Sequence, residues 1–464
     1  MPSDRGRRAA VRAAAAALVS AVAAVGLLGS AGPAAADGST QTRGGATAVM
    51  GELKTYGTAV LHEGGEDREV PAGLYEMSVD GGGTLQTYCV DLHSPTQRDA
   101  VYHETAWSGS SLGTDKDAGR INWILRHSYP QVNDLAALAE KAGIHGALTE
   151  QDAAAGTQVA IWRYSDGADV DAADPQAEQL ADYLRRSARN TPEPKASLAL
   201  DPPAVSGRPG SRLGPVTVHT GADTATVTPP AEAAASGVRI VDKDGRPVTS
   251  VRNGSRLFFD VPEDAADGSA ELTVQASTTV PVGRALVSES RSQTQILAGS
   301  SESTVSAVAD AAWAGQGAVA ALSARRNCAE GGVDITAVNA GDVPFTFTLM
   351  GAEHTVPAGA SRTVTIPLPE DQAYDLPITG PGGSGRRFTG VFDCRTQDSA
   401  SDMTVQTVAE PSPATAVAAD TGTDLADTGG SAATPLIAGS AIGLVVIGGA
   451  ALLIAGRKNP PTRR

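Results

Sequence analysis

Two short stretches carry side chains that could bond to one another. Thr87-Tyr88-Cys89-Val90-Asp91-Leu92 offers a thiol, and Thr157-Gln158-Val159-Ala160-Ile161-Trp162 offers a primary amide. If the Cys89 sulfur attacked the side-chain carbonyl carbon of Gln158 and expelled ammonia, an intramolecular thioester would remain. Such a thioester lacks most of the resonance that protects an amide, so an amine can attack its carbonyl while the thiolate leaves. The residue types also admit plainer readings. Cys89 could be a small buried hydrophobe and Gln158 a buried hydrogen-bond partner. Cys89 could also be the nucleophile of a cysteine hydrolase with His93, His103, His127 or His145 as base, although none of these sits in a local signature of such an enzyme. A passive spacer that binds non-covalently is a third class.

The three cysteines bear on the choice. Cys328 and Cys394 stand at the two ends of a strand-rich segment, and a disulfide between them leaves Cys89 outside the pair. Pairings through Cys89 would instead tie distinct modules together. A disulfide closing the 328–394 loop would stabilise by about 4 kcal/mol on the loop-entropy estimate, which suits a domain too small to rely on its core.

The two stretches resemble the signature of the bacterial thioester-domain surface proteins, in which a Tyr-Cys-aliphatic strand and a Thr-Gln-x-Ala-Ile-Trp helix carry the two halves of the bond. The resemblance covers roughly residues 50–190. It implies a Cys89–Gln158 thioester that captures an amine-bearing surface protein or a small amine. Such a protein is a single-turnover adhesin rather than a catalyst, with no catalytic residues, cofactor or metal. Tyr88, Ile161 and Trp162 are apolar and bulky, the right type of neighbour to keep water from the bond. Bringing the two residues together closes a loop of 69 residues, at an entropy cost of about 4 kcal/mol that folding must supply. The chain has six lysines, Lys54, Lys116, Lys141, Lys195, Lys243 and Lys458, so few of its own amines could quench the trap. Codon usage in a GC-rich genome would give the same scarcity.

Local patterns indicate the elements that must position this pair. Leu74 to Val79 and Thr84 to Leu92 flank Asp80-Gly81-Gly82-Gly83, a glycine turn between antiparallel strands. On the second strand, period two puts Leu85, Thr87 and Cys89 on one face and Gln86, Tyr88 and Val90 on the other. Helical punctuation follows. Arg120 to Tyr129 stops at Pro130, Asp134 caps Leu135 to Ala142 with Gly143 behind it, and Thr149 with Asp152 opens a helix through Trp162. On that helix Ala154, Gln158 and Ile161 form an apolar stripe. A last helix begins at Asp174-Pro175 and presents Ala177, Leu180, Ala181, Leu184 and Ala188 on one side. Strands followed by helices predict an α+β thioester domain over 37–195. It holds three of the four tryptophans and seven of the eight tyrosines. Asp166, Asp169, Asp171 and Asp174 do not match a calcium loop and read as a solvated loop.

Beyond it, 191–212 reads as a linker. Strand candidates at 216–219, 238–241, 248–251, 257–261 and 271–276 predict an immunoglobulin-like stalk module over 196–325, with Asp244-Gly245 turning a hairpin between the second and third. A disulfide-closed all-β module is expected over 326–396, with strands at 333–338, 345–349, 354–356 and 362–366. Only Lys243, in a turn, is available in the middle module for a Lys-Asn isopeptide bond, so none is predicted.

The chain ends carry address signals. Residues 1–36 read as a signal peptide, with Arg5, Arg7, Arg8 and Arg12, an apolar run and Ala34-Ala35-Ala36 as cleavage site. Residues 397–424 read as a flexible wall linker. Residues 425–464 combine Leu425-Ala426-Asp427-Thr428-Gly429, an apolar run at 435–455 long enough for a transmembrane helix, and a basic end. Together these resemble a sortase sorting signal. That resemblance implies cleavage between Thr428 and Gly429, attachment to peptidoglycan in a Gram-positive cell wall, and membrane residence only before sorting. A net charge of -16 argues against a nucleic-acid partner, whose binding relies on Lys and Arg.

Overall fold

The computed structural model describes residues 44–231, 233–379 and 385–394. The expected signal peptide (1–36), wall linker (397–424) and sorting signal (425–464, with its run at 435–455) lie outside the described residues. Among the described residues no helix is long and apolar enough to cross a membrane.

The helical punctuation folds as expected. The Asp134 carboxylate accepts from Ala137 N at 3.0 Å, and Leu135–Ala142 ends on Gly143 at φ 72°, a left-handed conformation that suits a residue without Cβ. Thr149 and Asp152 form a capping box ahead of Glu150–Ser165, and Asp174 caps Pro175–Ser187. The first helix runs over Ala118–His127, two residues earlier at each end than expected. In Glu150–Ser165 burial exceeds the expected stripe, because Ala153 to Trp162 are all buried. The helix is therefore covered on every side. It packs tightly against Pro175–Ser187 at Gly156, where an added Cβ would stand 2.4 Å from Ala177 O.

This helix packs on a sheet in the order Glu66–Val79, Thr84–Cys89, Gln295–Ser300, Ala285–Ser288, Val101–Thr105, Thr47–Glu63, Val170–Ala172. Thr47–Glu63 also pairs along its length with Glu66–Val79, so six of the seven strands close into a ring. Two ring strands, Ala285–Ser288 and Gln295–Ser300, come from the segment expected to be stalk. The sheets therefore do not divide at residue 195. Without the returning hairpin, Thr84–Cys89 and Val101–Thr105 would each present an unpaired edge.

Strands before, between and after the two passes through the ring build a second β unit. One sheet orders Arg239–Val241, Arg256–Asp260, Arg212–Thr220 and Leu198–Asp201. The other orders Gly44–Gly45, Glu302–Trp313, Gly268–Thr279, Ala225–Thr228 and Ser250–Val251, with Ala204–Gly207 parallel beside Glu302–Trp313. Strands at 198–201 and 204–207 thus replace part of the expected linker. The turn at Asp244-Gly245 forms, with Asp242 N donating to Arg246 O at 2.9 Å. After one bridge between Val241 and Pro247 its arms part, Arg239–Val241 to Arg256–Asp260 and Ser250–Val251 to Ala225–Thr228. Turn chemistry is local, whereas the choice of sheet is not.

Buried apolar side chains from Ala46 to Trp313 form one cluster, and those from Ala324 to Cys394 form another. The cores divide between 313 and 324. The second core lies between a sheet of Ala320–Asn327, Gly332–Asn339 and Ser361–Pro367 and a sheet of Ala352–Val356, Phe345–Leu349, Gln372–Thr379 and Gly385–Phe392. The expected disulfide joins Cys328 to Cys394, with Cα atoms 5.3 Å apart. This module leans on the turn Trp107–Gly109: Cys328 N donates to Ser108 O at 3.1 Å and the Arg325 guanidinium to Ser108 Oγ at 2.6 Å.

Candidate functional site

Cys89 is the last residue of its strand, and Gln158 is mid-helix on the element buried all round. Their exposures are 1% and 0%. The structure brings them together through two reciprocal hydrogen bonds. Cys89 N donates to Gln158 Oε1 at 3.0 Å, and Gln158 Nε2 donates to Cys89 O at 2.8 Å. The Gln158 amide is thus held at both ends against the Cys89 backbone, where it fixes the end of the strand that carries the sulfur.

Other groups gather at the sulfur. Gln295, directly opposite Cys89 in the ladder, donates from Nε2 to Cys89 Sγ at 3.2 Å. The Thr87 hydroxyl donates to Gln295 Oε1 at 2.9 Å. Thr96 Oγ1 lies 3.9 Å from Sγ and accepts from the Gln293 side chain. Burial pushes the nearby Tyr75 hydroxyl well up from its ordinary value.

Acids line the far side. Asp91, two residues past Cys89, accepts from Thr294 N at 2.9 Å. Burial first, and the Asp166 charge second, raise its carboxyl above the ordinary range. Asp166 accepts from Leu92 N at 3.3 Å and from the Ser165 hydroxyl at 2.8 Å, and burial pushes it up to about 7. It is therefore not the solvated residue expected from its sequence setting. Of its companions, Asp171 pairs with Arg163 at 2.8 Å and Asp174 caps a helix. Among the described residues no group of three His, Cys, Asp or Glu could hold a metal ion. Asp393, beside Cys394, is raised by burial and next by the Asp91 charge.

The expected surroundings fall into two sets. Ile161 and Trp162 are buried three and four residues past Gln158, on its side of the helix. Tyr88 is buried too, but it points from the other face of its strand and donates to Tyr129 O at 2.9 Å. Thr87, not Tyr88, faces the group that holds the sulfur. The histidines considered as bases are engaged elsewhere: His93 with Glu63 at 3.3 Å, His103 with Thr47 and Glu289, and His127 stacked on Trp123. His145 is exposed.

Sequence reasoning missed Gln293 and Gln295. The available signal was two glutamines at alternate positions running into Ile296-Leu297-Ala298, polar side chains on what would be a fully buried strand. Nothing in that signal names the neighbouring strand.

Residues 86–190 match the family model described as the thioester domain, a span that includes Cys89 and Gln158 and stops short of Gln295. Residues 316–391 match the model described as the C-terminal domain of bacterial phospholipase C. No curated protein matches the chain. Among solved structures, the chain is similar to the Bacillus anthracis TIE protein at 14% identity and TM-score 0.27, covering 76% of this chain and 81% of that one. It is also similar to the thioester domain of the Enterococcus faecium TIE86 protein, at 17% identity and TM-score 0.28, covering 59% and 98% respectively. A third is the thioester domain of the Staphylococcus aureus TIE protein, at 11% identity and TM-score 0.20, covering 59% and 99%.

Proposed function

We propose that this chain is a cell-surface adhesin whose Cys89 sulfur joins a glutamine side chain as an internal thioester that captures an amine, and that the glutamine is Gln295 on the returning strand rather than Gln158. The observation that carries this reading is the Gln295 amide at the buried sulfur, with Nε2 3.2 Å from Cys89 Sγ, while Gln158 positions the Cys89 backbone. The match of residues 86–190 to the thioester-domain family supports it. Attack of the sulfur on Gln295 Cδ expels Nε2 as ammonia while Oε1 faces the Thr87 hydroxyl at 2.9 Å; an incoming amine on a surface protein or a small molecule then forms a C–N bond at Gln295 Cδ, loses a proton to solvent, and the C–S bond breaks with its electron pair on sulfur. The amide left behind is permanent, so each molecule reacts once and does not turn over. Export through residues 1–36, sortase cleavage between Thr428 and Gly429 and attachment to peptidoglycan would display the site on the cell wall.

A biotinylated primary alkylamine, incubated with the full chain and located by peptide mapping, tests this. Label is expected on Gln295 and is lost in Cys89→Ala and in Gln295→Ala. Label mapped to Gln158, or persisting at the same level in Cys89→Ala, contradicts the proposal. Hydrolysis of a substrate that survives Gln295→Ala would point to a cysteine hydrolase instead.

A further inference from the structure

We infer that Asp91 is the proton acceptor of the site: its carboxylate takes the proton that the attacking amine must lose and passes it toward solvent by way of Asp166. This rests on the thioester reading above, in which that proton starts inside the core.

Asp91 is built into the frame of the reactive pair. It follows Cys89 by two residues, and its Oδ2 accepts at 2.9 Å from the N–H of Thr294, the residue before Gln295. Cys89 and Gln295 stand opposite one another, and one step on, Val90 N still donates to Thr294 O at 3.2 Å. There the Thr294 N–H meets a carboxylate in place of a main-chain carbonyl. That bond occupies one oxygen. Asp91 is fully buried, and its Oδ1 has no hydrogen-bond partner among the described residues. A bare carboxylate oxygen inside a core costs free energy. Asparagine could accept from Thr294 N equally well, so the ladder bond alone does not account for an acid here.

The groups that face Asp91 set when it can act. Burial and next the Asp166 charge raise its carboxyl, while the bonds from Thr294 and the nearby Ser111 hydroxyl hold it down. The Tyr102 phenol and the Asp393 carboxyl feel the Asp91 charge in turn, and the Arg326 guanidinium acts on Asp393. A carboxyl raised in this way changes charge closer to neutral pH than an ordinary one, as a group that must both take and release a proton requires. Asp166 bonds to Leu92 N, next along the chain from Asp91, and is only half-buried, so it has access to water that Asp91 lacks.

During capture the unprotonated amine bonds through nitrogen to Gln295 Cδ, and Oε1 takes up negative charge. The nitrogen is now positively charged, and Asp91 Oδ1 takes one proton from it. Until that proton leaves, the amine competes with sulfur as the leaving group. Oε1 then reforms the carbonyl and the C–S bond breaks with both electrons on sulfur. Asp91 releases its proton through Asp166 to solvent, and the thiolate takes one from solvent. The products are an amide and a thiol, with Asp91 again a carboxylate.

The test follows uptake of aminoacetonitrile by the full chain as a function of pH, read by intact mass. This amine carries no proton at neutral pH, so its own titration does not shape the profile. In the unsubstituted chain the rate should rise through a step above the ordinary carboxylate range. Asp91→Asn keeps an oxygen for Thr294 N and removes the base, so the step should vanish and the rate fall about 100-fold, the low end for general-base catalysis. Asp166→Asn removes the charge that raises Asp91, so the step should move to lower pH. A purely structural Asp91 predicts the same rate and profile in Asp91→Asn, and that result overturns the inference. If Asp91→Asn carries no thioester, Asp166→Asn decides, and a step at unchanged pH overturns it. Failure of the parent reading looks different. The unsubstituted chain would then show no loss of ammonia and no uptake at any pH, and both readings would fall. A flat pH profile in a chain that has lost ammonia and takes up amine overturns the role of Asp91 alone.

Discussion

Two regions of this chain each bring together a pair of side chains that one covalent bond can join, across unequal lengths: 206 residues from Cys89 to Gln295 and 66 from Cys328 to Cys394. Their settings differ. Cys328 and Cys394 tie the ends of a small sandwich whose second core is modest. Cys89 and Gln295 face each other on paired strands of a ring that shares one core from Ala46 to Trp313. A bond that holds a fold together is not available for chemistry. In the first region non-covalent contacts hold the pair in place, so the bond between them can be opened without losing the fold.

The non-covalent closure of the ring has its own lock. Arg284, at the entry to the returning hairpin, reaches Glu104 at 2.9 Å and Glu193 at 2.8 Å, and Glu104 also accepts from Ala46 N and Ser197 N. Removing one partner of such a buried pair leaves an uncompensated charge, so Arg284→Met is expected to cost about 3–5 kcal/mol. In calorimetry the transition of the ring region should fall while that of the disulfide-closed module stays. Equal losses in both would erase the contrast.

The reverse experiment is replacement of Cys328 and Cys394 by serine, with an expected loss of about 4 kcal/mol on the loop-entropy estimate. Hydrogen exchange should report that loss in residues 320–394 while amine capture at Gln295 continues. Abolished capture would mean that the module leaning on Trp107–Gly109 is needed to build the site.

A smaller effect is expected from pH, through the acids between the two regions. Asp166 is raised from 3.8 to about 7 in the folded state, and Asp91 and Asp393 shift the same way. Over that window the folded chain binds more protons than the unfolded one, so stability falls as pH rises from about 4 to about 7. The melting temperature should be higher at about pH 5 than at about pH 8, with the difference reduced in Asp166→Asn and in Asp91→Asn. A melting temperature independent of pH would show that these carboxyls are not held protonated. The smallest effect is at the cap: Thr149→Ala removes one arm of the capping box ahead of the Gln158 helix and should cost about 1 kcal/mol in urea unfolding.

The same division explains what could be read from sequence. Helix ends were legible because Asp134, Thr149, Asp174 and Gly143 act on groups within four residues. Cys89 and Gln158 were legible because each sits in a local motif, and the Cys328–Cys394 pairing because the cysteines bracket one segment. The returning strands were not. A run in which Ala285–Ser288 are all buried reads as a buried strand, but its partners, Val101–Thr105 on one side and Gln295–Ser300 on the other, are chosen by which edges remain open. Gln295 was missed for the same reason, since its role exists only through a neighbour 206 residues away.

The most direct measurement is the intact mass of the purified full chain with and without methylamine. A mass below that of the sequence by one ammonia, rising by one methylamine on treatment and absent in Cys89→Ala, is the expected result. The full sequence mass, unchanged by methylamine and accompanied by a titratable Cys89 thiol, would contradict the thioester.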